Sequence, residues 1–451
     1  MTDPAPLVPT PPPTYPPSRQ GWVLVAMLTV AYVLSYIDRS ILGLLVEPIK
    51  AQLKVSDAQM GVLIGLAFGL FYATVGIPLG WLADRQRRTW IVGLGVGLWS
   101  LATAVSGLAN SFGHLFLARM GVGVGEATLG PCAMSMIGDS FPPERRGRPV
   151  ALYSSAVSLG AGIAALVGAA VLTWAKTSSG IDLPLIGATK PWQFAFLIVG
   201  LPGLVLGLAF LFIREPPRQV SDQPGAAKPG IGDLRRHISA NAGSFFGVTG
   251  LVGVMTIIAY SQGFVPSAFS RHFGWEPRLY SLVNGVLLLL LGPLTVNLVG
   301  LLCDRWRKAG RADAPFVLLA IGFVGMVISN GLALLMPDAM LAFVCLSLGT
   351  ISIATVTVAG IVALLDITPA AIRGQTVALY YMVISMTGLL LGPTTVGLLS
   401  SRFYGEARLH LAIATVPILY GIVPLLLLPA IGRAYARQAE ALRRAATAFN
   451  C

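Results

Sequence analysis

Four charged side chains lie inside segments that are otherwise apolar enough to cross a lipid bilayer. They are Asp38 and Arg39 in the first such segment and Arg119 and Glu126 in the fourth. A charge at the bilayer centre costs about 2.5–3.5 kcal/mol on insertion scales, so such groups usually face a partner or a water-filled cavity. We therefore predict that these residues line the central cavity of a transporter and bind its coupling proton or its substrate.

Asp38, Glu126 or both are predicted to bind the coupling proton. Burial favours the neutral form of a carboxyl group and a nearby guanidinium favours the charged form, so a rearranging Arg changes the proton affinity. Arg119 and Glu126 are seven residues apart and share one helix face. Asp38 is expected at a depth similar to that of Arg119. The alternative is a static buried ion pair that only fixes the packing of the first and fourth helices.

Arg39 is the leading candidate to contact an anionic substrate, because a guanidinium offers planar bidentate donors to phosphate or carboxylate. The same side chain could instead reach Glu126. The seventh segment contains TIIAYSQGF, without a basic residue. It is predicted to give a cavity wall that is polar in places and otherwise apolar, which suits an amphiphile, through Thr256, Tyr260, Ser261 and Gln262. The alternative is that these polar groups bond one another between helices.

The composition is that of a polytopic membrane protein. Hydrophobic residues make up 55% of the chain, charged residues 11%, and the mean hydropathy is +0.76. Apolar windows near the roughly 20 residues that span hydrocarbon recur along the chain. We expect an all-α integral membrane fold of twelve transmembrane helices, at about 21–49, 57–83, 90–108, 114–136, 149–174, 192–213, 243–267, 278–302, 315–336, 339–365, 375–400 and 409–431.

The net charge of +12 is a topology signal rather than a nucleic-acid signal. Of the 31 Lys and Arg residues, 21 fall on one side of the predicted membrane, eight on the other and two within spans. The positive-inside rule then places both termini in the cytoplasm, with the basic loops touching anionic lipid headgroups. We expect a monomer in a bacterial inner membrane, with no cleavable signal peptide. The four scattered cysteines indicate neither a metal site nor a disulfide framework.

The chain is predicted to divide into five parts. Residues 1–20 are rich in proline and expected to be disordered in the cytoplasm. Residues 21–213 form a first six-helix half, 214–242 a cytoplasmic linker, and 243–431 a second six-helix half. Residues 432–451 read as a basic amphipathic tail on the inner membrane surface, or as a solvated helix.

The two halves carry matching segments, which indicates duplication. Shifting residues 139–153 by 227 positions onto 366–380 gives eight identities in fifteen positions, including the run VALY. GWLADRQRR, beginning at Gly80, recurs as GLLCDRWRK, beginning at Gly300. Because six helices per half preserve orientation, we expect pseudo-symmetric halves with a substrate site between them near the midplane.

These residues resemble the major facilitator superfamily over essentially the whole chain. GWLADRQRR is similar to that family's GxxxDRxGRR loop, although the Gly expected after Gln86 is missing, and RMGVGVGEA is similar to its Arg-bearing helix 4 motif. Within the superfamily, YIDRSILG, GVGEA and FPPERRGR resemble the spinster-like branch. The resemblance implies the major facilitator fold and a sphingolipid-like or lysolipid-like substrate, because animal members of that branch export sphingosine-1-phosphate and lysophospholipids.

The resemblance also implies a gate at the cytoplasmic mouth. Ion pairs and helix-end contacts there would hold the inner side shut in the outward-facing state. The alternative is that these charges are topology signals alone. The residues concerned are Asp84, Arg85, Asp139, Glu144, Arg145 and Arg146, with Asp304, Arg305, Asp366 and Arg373 as their repeat counterparts.

The leading function is therefore a proton-coupled secondary transporter that moves an amphiphilic, anionic lysolipid-like or sphingolipid-like substrate by alternating access. The alternative is a multidrug or small organic-anion transporter of the same fold. An enzyme is not expected, because no constellation of nucleophile, base and orienting residue is present, and GVGVGE lacks the spacing and context of a nucleotide loop. No cofactor and no metal are expected.

Overall fold

The computed structural model describes residues 15–142, 145–177, 181–183, 187–218, 231–369 and 372–449. In the first half a π-helical turn, Val62–Leu66, joins α3 to α4. The helices of this half are α1 Ser18–Leu44, α2 Val46–Leu53, α3 Asp57–Gly61, α4 Ala67–Arg85, α5 Arg88–Ser106, α6 Phe112–Glu126, α7 Leu129–Ser140, α8 Gly147–Thr177 and α9 Pro191–Phe212.

The second half repeats this plan. Short turns at Gln262–Phe264, Ser400–Tyr404 and Glu406–Arg408 link its helices at one end of the bundle. The helices are α10 Ile231–Ala240, α11 Ala242–Ser261, α12 Val265–Phe273, α13 Pro277–Lys308, α14 Ala314–Ala333, α15 Ala339–Asp366, α16 Arg373–Leu399 and α17 Leu409–Phe449. The all-α expectation is confirmed apart from one small hairpin between α8 and α9, in which β1 Ile181–Leu183 pairs antiparallel with β2 Gly187–Thr189.

Eleven helical segments within the described ranges are long and apolar enough to span a membrane. The fourth predicted crossing is divided, because α6 ends at Glu126 and α7 begins at Leu129. At this break the Thr128 hydroxyl donates to the Gly125 carbonyl oxygen at 2.8 Å. The count of twelve therefore stays a prediction. We call the end of the bundle near Lys54 the outer end and the opposite end the inner end, following the predicted topology.

Two inner-end arginines show the duplication in three dimensions. Arg146 Nε donates to the Phe141 carbonyl oxygen at 2.7 Å, and Arg373 Nε donates to the Thr368 carbonyl oxygen at 3.3 Å. Each bond spans five residues, and the shift of 227 relates one bond to the other. The repeated sequence thus makes the same helix-start contact in both halves.

The predicted division of the chain stays a prediction, with some local detail added. Residues 1–14 of the proline-rich segment and 219–230 of the linker lie outside the described residues, but α1 already includes residues 18–20 and α10 lies within 214–242. The basic tail continues α17 rather than starting a separate helix. Its Tyr435 hydroxyl donates to Asp366 Oδ2 at 2.8 Å, and Gln438 Nε2 donates to the Ile367 carbonyl oxygen at 2.6 Å.

The two halves pack closely near the outer end. A Cβ atom on Gly61 would lie 2.4 Å from the Pro393 carbonyl oxygen, so only glycine allows α3 to approach α16 this closely. Gly43 of α1 lies similarly against the backbone of Gly263. The Gly61 contact joins the second and eleventh crossings, and the Gly43 contact joins the first and seventh.

Candidate functional site: a buried charge cluster and an outer latch

The first and fourth crossings meet at a buried ion pair. Glu126 is only 2% exposed. Its Oε2 atom accepts from Arg39 Nε at 2.6 Å and from the Ser35 hydroxyl at 2.6 Å, and Arg39 Nη2 also lies 2.6 Å away. The other carboxylate oxygen, Oε1, has no protein hydrogen-bond partner among the described residues. The pair thus has one saturated oxygen and one that can still accept a proton.

Asp38 and Arg119 lie beside this pair, but their charged groups do not contact each other directly. Arg119 Nη1 donates instead to the backbone carbonyl oxygen of Asp38 at 3.3 Å. Both side chains are buried, at 2% and 1% exposure. Within the described part of the chain, Asp38 Oδ1 and Arg119 Nε have no hydrogen-bond partner. Leaving a buried polar atom without a partner costs about 1–3 kcal/mol.

Aromatic rings surround the guanidinium groups. Arg39 lies over the rings of Phe68, Tyr72 and Tyr36, with its Cζ atom 4.6, 5.1 and 5.8 Å from their centroids. Arg119 Cζ lies 5.6 Å from the Phe68 ring centroid. Such cation–π contacts stabilise a charge that is removed from water.

Sequence reasoning missed these rings and Ser35. A signal existed, because Tyr32, Ser35, Tyr36 and Arg39 follow the three- and four-residue spacing of one helix face. The close approach of the Phe68 helix depends on Gly123. A Cβ atom at position 123 would lie 2.5 Å from the Phe68 carbonyl oxygen.

Of the four cavity candidates in the second half, Tyr260 is the one that reaches the charge cluster. It packs against the apolar cluster of the first half and lies beside Arg39. The other three are engaged within their own half: Thr256 donates to the carbonyl oxygens of Gly253 and Ile384, Ser261 donates to Ile258, and Gln262 donates to Asn330. Thr256 and Gln262 thus each bond a neighbouring helix and Ser261 bonds its own helix, and the cavity role of the three stays a prediction.

The predicted inner-gate residues hold helices together within each half. Asp139 pairs with Arg88, which also binds Glu215 at 2.6 Å. In the second half, Asp366 accepts from Arg307 at 2.5 Å. These pairs join neighbouring helices of the same half, so in this conformation they do not close the inner mouth.

The other inner-end residues have smaller roles in this conformation. Arg85 lies over the Trp81 ring at 3.7 Å, and the backbone N–H of Arg145 donates to the Pro142 carbonyl oxygen. Within the described ranges, Asp304 and Arg305 form no ion pair. Glu144 and the side chain of Asp84 lie outside the described residues. The cytoplasmic gate therefore stays a prediction.

An ion-pair network that sequence reasoning missed joins the two halves at the outer end. Asp57 is fully buried and accepts from Arg271 Nη1 at 2.7 Å and Arg271 Nη2 at 2.9 Å. Ser400 also donates to Asp57 at 2.7 Å, and Lys50 pairs with it. We call this network the outer latch; its charged members are Glu47, Lys50, Asp57, Arg271 and Glu406.

The remaining latch contacts also cross between the halves. Lys50 Nζ lies 2.6 Å from Glu406 Oε2, and Arg271 Nε donates to Glu47 Oε1 at 2.9 Å. The backbone N–H of Asp57 donates to Glu406 at 2.7 Å. A capping box of Ser56 and Gln59 fixes the start of α3, and therefore the position of Asp57. Among the described residues, every ion pair between the halves belongs to this latch, so the molecule is closed at its outer end.

Comparisons with known proteins agree with this architecture. The model of the Major Facilitator Superfamily matches residues 28–357. An MFS-type efflux pump of Mycolicibacterium smegmatis is 27% identical over 331 residues, 73% of each chain. The sphingosine-1-phosphate transporter SPNS2 of Danio rerio is 30% identical over 211 residues, 46% of this chain and 39% of that protein.

A solved structure is similar over almost the whole chain. It is a bacterial homologue of the human lysosomal transporter Spinster, in an inward-facing and unoccupied conformation. The TM-score is 0.77 at 26% identity, and the match covers 94% of this chain and 98% of that one. The family, the fold and the similarity to spinster proteins that the sequence predicted are confirmed.

Proposed function

The chain belongs to the major facilitator superfamily and is a membrane transporter rather than an enzyme, and on that premise we propose that it carries an amphiphilic anion in exchange or together with protons. The expected substrate is a lysolipid-like or sphingolipid-like molecule, and the expected membrane is a bacterial inner membrane. Transport would proceed by alternating access, with the described conformation closed outside. The observation that carries this proposal is the buried Arg39–Glu126 pair facing Tyr260 of the other half.

The pair supports anion recognition because the group that binds Arg39 is the Glu126 carboxylate, which loses its negative charge when it is protonated. While Glu126 is charged, its Oε2 occupies both Nε and Nη2 of Arg39. Protonation removes the negative charge and frees the guanidinium fork for a phosphate or carboxylate. Proton and anion then favour each other's binding, and by linkage the anion affinity rises as the pH falls.

Asp38 and Arg119 are proposed to support this exchange. When Glu126 turns away from Arg39, the second guanidinium and the second carboxylate lie beside it to redistribute charge. The unsatisfied Oδ1 of Asp38 is a second position at which a proton can bind. The surrounding tyrosines and the apolar second half suit the tail of an amphiphile better than a fully polar sugar.

The test is ligand-dependent thermal stabilisation of the purified protein from pH 5 to pH 8. The ligands are a panel of lysophospholipids and sphingosine-1-phosphate, and the variants are Arg39→Ala and Glu126→Gln. The matched control is Gln262→Ala, which removes a polar side chain that bonds within the second half. We expect wild type and the control to bind more tightly at pH 5 than at pH 8.

Arg39→Ala should weaken binding at least tenfold, because a hydrogen bond to a charged group contributes about 1.5–3 kcal/mol. Glu126→Gln should bind the lipid at every pH with the affinity that wild type shows at pH 5. The proposal is wrong if folded Glu126→Gln keeps the wild-type pH dependence, or if folded Arg39→Ala binds anionic lipids as well as wild type does.

A second candidate is a proton-coupled drug or small organic-anion transporter. The efflux-pump similarity and the ring of tyrosines around Arg39 support it, because aromatic walls accept many apolar molecules. Stabilisation by short-chain carboxylates or by hydrophobic drugs, with none by the lipid panel, would favour this candidate.

A further inference from the structure

A second cavity lies at the outer end, away from the charge cluster. Its volume is about 480 Å³, within the 300–1,000 Å³ typical of ligand sites. It is lined by both halves: by α1, α2, α8 and the start of α9 from the first, and by the start of α13 from the second. The lining residues are Leu45, Pro48, Ala51, Gln52, Leu172, Lys190, Pro191, Trp192, Pro277 and Arg278.

The polar part of this cavity consists of hydrogen-bond donors. Lys190 and Arg278 line it from opposite halves, and neither forms an ion pair with any described residue. Gln52 is oriented by Trp192, whose indole N–H donates to Gln52 Oε1 at 2.6 Å. The Gln52 amide therefore presents its N–H₂ end, and the cavity offers two cations and an amide donor.

The lining contains no acidic residue to neutralise these donors. The nearest carboxylate along α2, Glu47, is engaged by Arg271 in the outer latch. Two helices also begin at the cavity, α9 at Pro191 and α13 at Pro277, and a helix start carries partial positive charge. The lining residues themselves therefore favour an anion, and Glu276, which directly precedes Pro277, is the nearest carboxylate along α13.

The rest of the wall is apolar. Leu45, Leu172, Pro48, Pro191 and Pro277 supply this surface beside the cations. A soluble anion would leave it uncovered, whereas an amphiphile covers it with the first part of its chain. We infer that the cavity binds a membrane amphiphile with an anionic headgroup, the headgroup between Lys190 and Arg278.

Such a ligand would act on the transport cycle without being the cargo. Because the cavity wall is shared, separation of the halves at the outer end pulls Lys190 away from Arg278. A ligand that binds only the closed arrangement stabilises it by mass action. The inference goes beyond the proposed function, since it needs neither Arg39 nor Glu126.

The experiment compares binding of lysophosphatidylglycerol, lysophosphatidylcholine and glycerol 3-phosphate to four purified proteins by thermal stabilisation. They are wild type, Lys190→Gln/Arg278→Gln, Arg39→Ala and the matched control Lys54→Gln/Arg402→Gln. The control removes one Lys and one Arg from exposed outer-end positions, one in each half, outside the cavity.

We expect lysophosphatidylglycerol to stabilise Arg39→Ala and the control, with affinity lowered at least tenfold in Lys190→Gln/Arg278→Gln. Raising the salt concentration should weaken this binding, since exposed charges are screened. Equal affinity in the cavity variant and the control would overturn the inference, as would equal protection by glycerol 3-phosphate or by lysophosphatidylcholine. Loss of binding in Arg39→Ala alone would instead place the lipid at the central cluster, supporting the proposed function and refuting the outer site.

Discussion

The outer latch predicts that a single isosteric change, Asp57→Asn, opens the outer end. Asp57 is fully buried and receives two charge-assisted hydrogen bonds from Arg271 of the other half. Each such bond contributes about 1.5–3 kcal/mol, whereas a neutral amide retains a bond of about 0.5–1.5 kcal/mol. Arg271 keeps its bonds to Glu47 Oε1 and to the backbone carbonyl oxygen of Glu406, so we expect a net loss of about 2–3 kcal/mol from the closed state.

This loss changes the ratio of outer-open to outer-closed molecules by about 30- to 150-fold. If about 1% of wild-type molecules are outer-open, the open fraction rises to between about one quarter and three fifths. The assay is double electron–electron resonance between spin labels at Asn110→Cys and Arg402→Cys. Both positions are exposed, and each half carries one label.

Glu47→Gln is the matched control, because it makes the same chemical change in the same network. The Glu47 side chain is 37% exposed, and exposed ion pairs contribute about 0–1 kcal/mol. Its distance distribution should stay close to that of wild type. The reasoning is refuted if folded, monodisperse Asp57→Asn shows the wild-type distribution, or if Glu47→Gln opens the outer end as much as Asp57→Asn does.

Three further outcomes are expected. Gly61→Ala places a Cβ atom 2.4 Å from the Pro393 carbonyl oxygen and should destabilise the outer-closed state by about 1–3 kcal/mol. The spin-label distances described above measure this change, and the control Gly76→Ala, whose Cβ meets no atom within 4 Å, should leave them unchanged. Arg88→Gln removes the buried guanidinium that Asp139 and Glu215 share and should lower the free energy of unfolding by about 3–5 kcal/mol. A melting temperature equal to that of exposed Arg87→Gln would contradict this. Tyr435→Phe removes the hydroxyl that donates to Asp366 and should cost about 0.5–1.5 kcal/mol in thermal unfolding; no change would mean that Arg307 alone satisfies the carboxylate.

The central charges could be predicted from the sequence because an ionisable residue in an apolar segment is visible without any partner. Their partners were harder to predict. Ser35 and Tyr72 are ordinary residues for a membrane helix, and only the folded structure shows that one bonds Glu126 and the other lies over Arg39. The helical fold followed from hydropathy alone, since a spanning segment must satisfy its own backbone hydrogen bonds.

The outer latch could not be predicted in the same way. Its charges lie near helix ends, where Lys, Arg, Asp and Glu normally face water, so their types carry no signal. The bond from the Asp57 N–H to Glu406 joins residues 349 positions apart. At the inner end, the repeated motifs correctly indicated residues that form ion pairs: Asp139 pairs with Arg88, and Asp366 pairs with Arg307. Each of these pairs joins helices of the same half.

Two pairs of consecutive helices connect the charge cluster to the outer latch: α1 and α2 in the first half, and α11 and α12 in the second. In the first half Lys50 follows Arg39 by eleven residues, and in the second half Arg271 follows Tyr260 by the same interval. Between the charge cluster and the latch, the two helix pairs touch where Gly43 packs on Gly263. A conformational change that separates Arg39 from Tyr260 must therefore either bend both helix pairs at this contact or move the outer ends of α2 and α12 apart. Because packed helices resist bending and the latch is a small set of polar contacts, breaking the latch requires the smaller rearrangement.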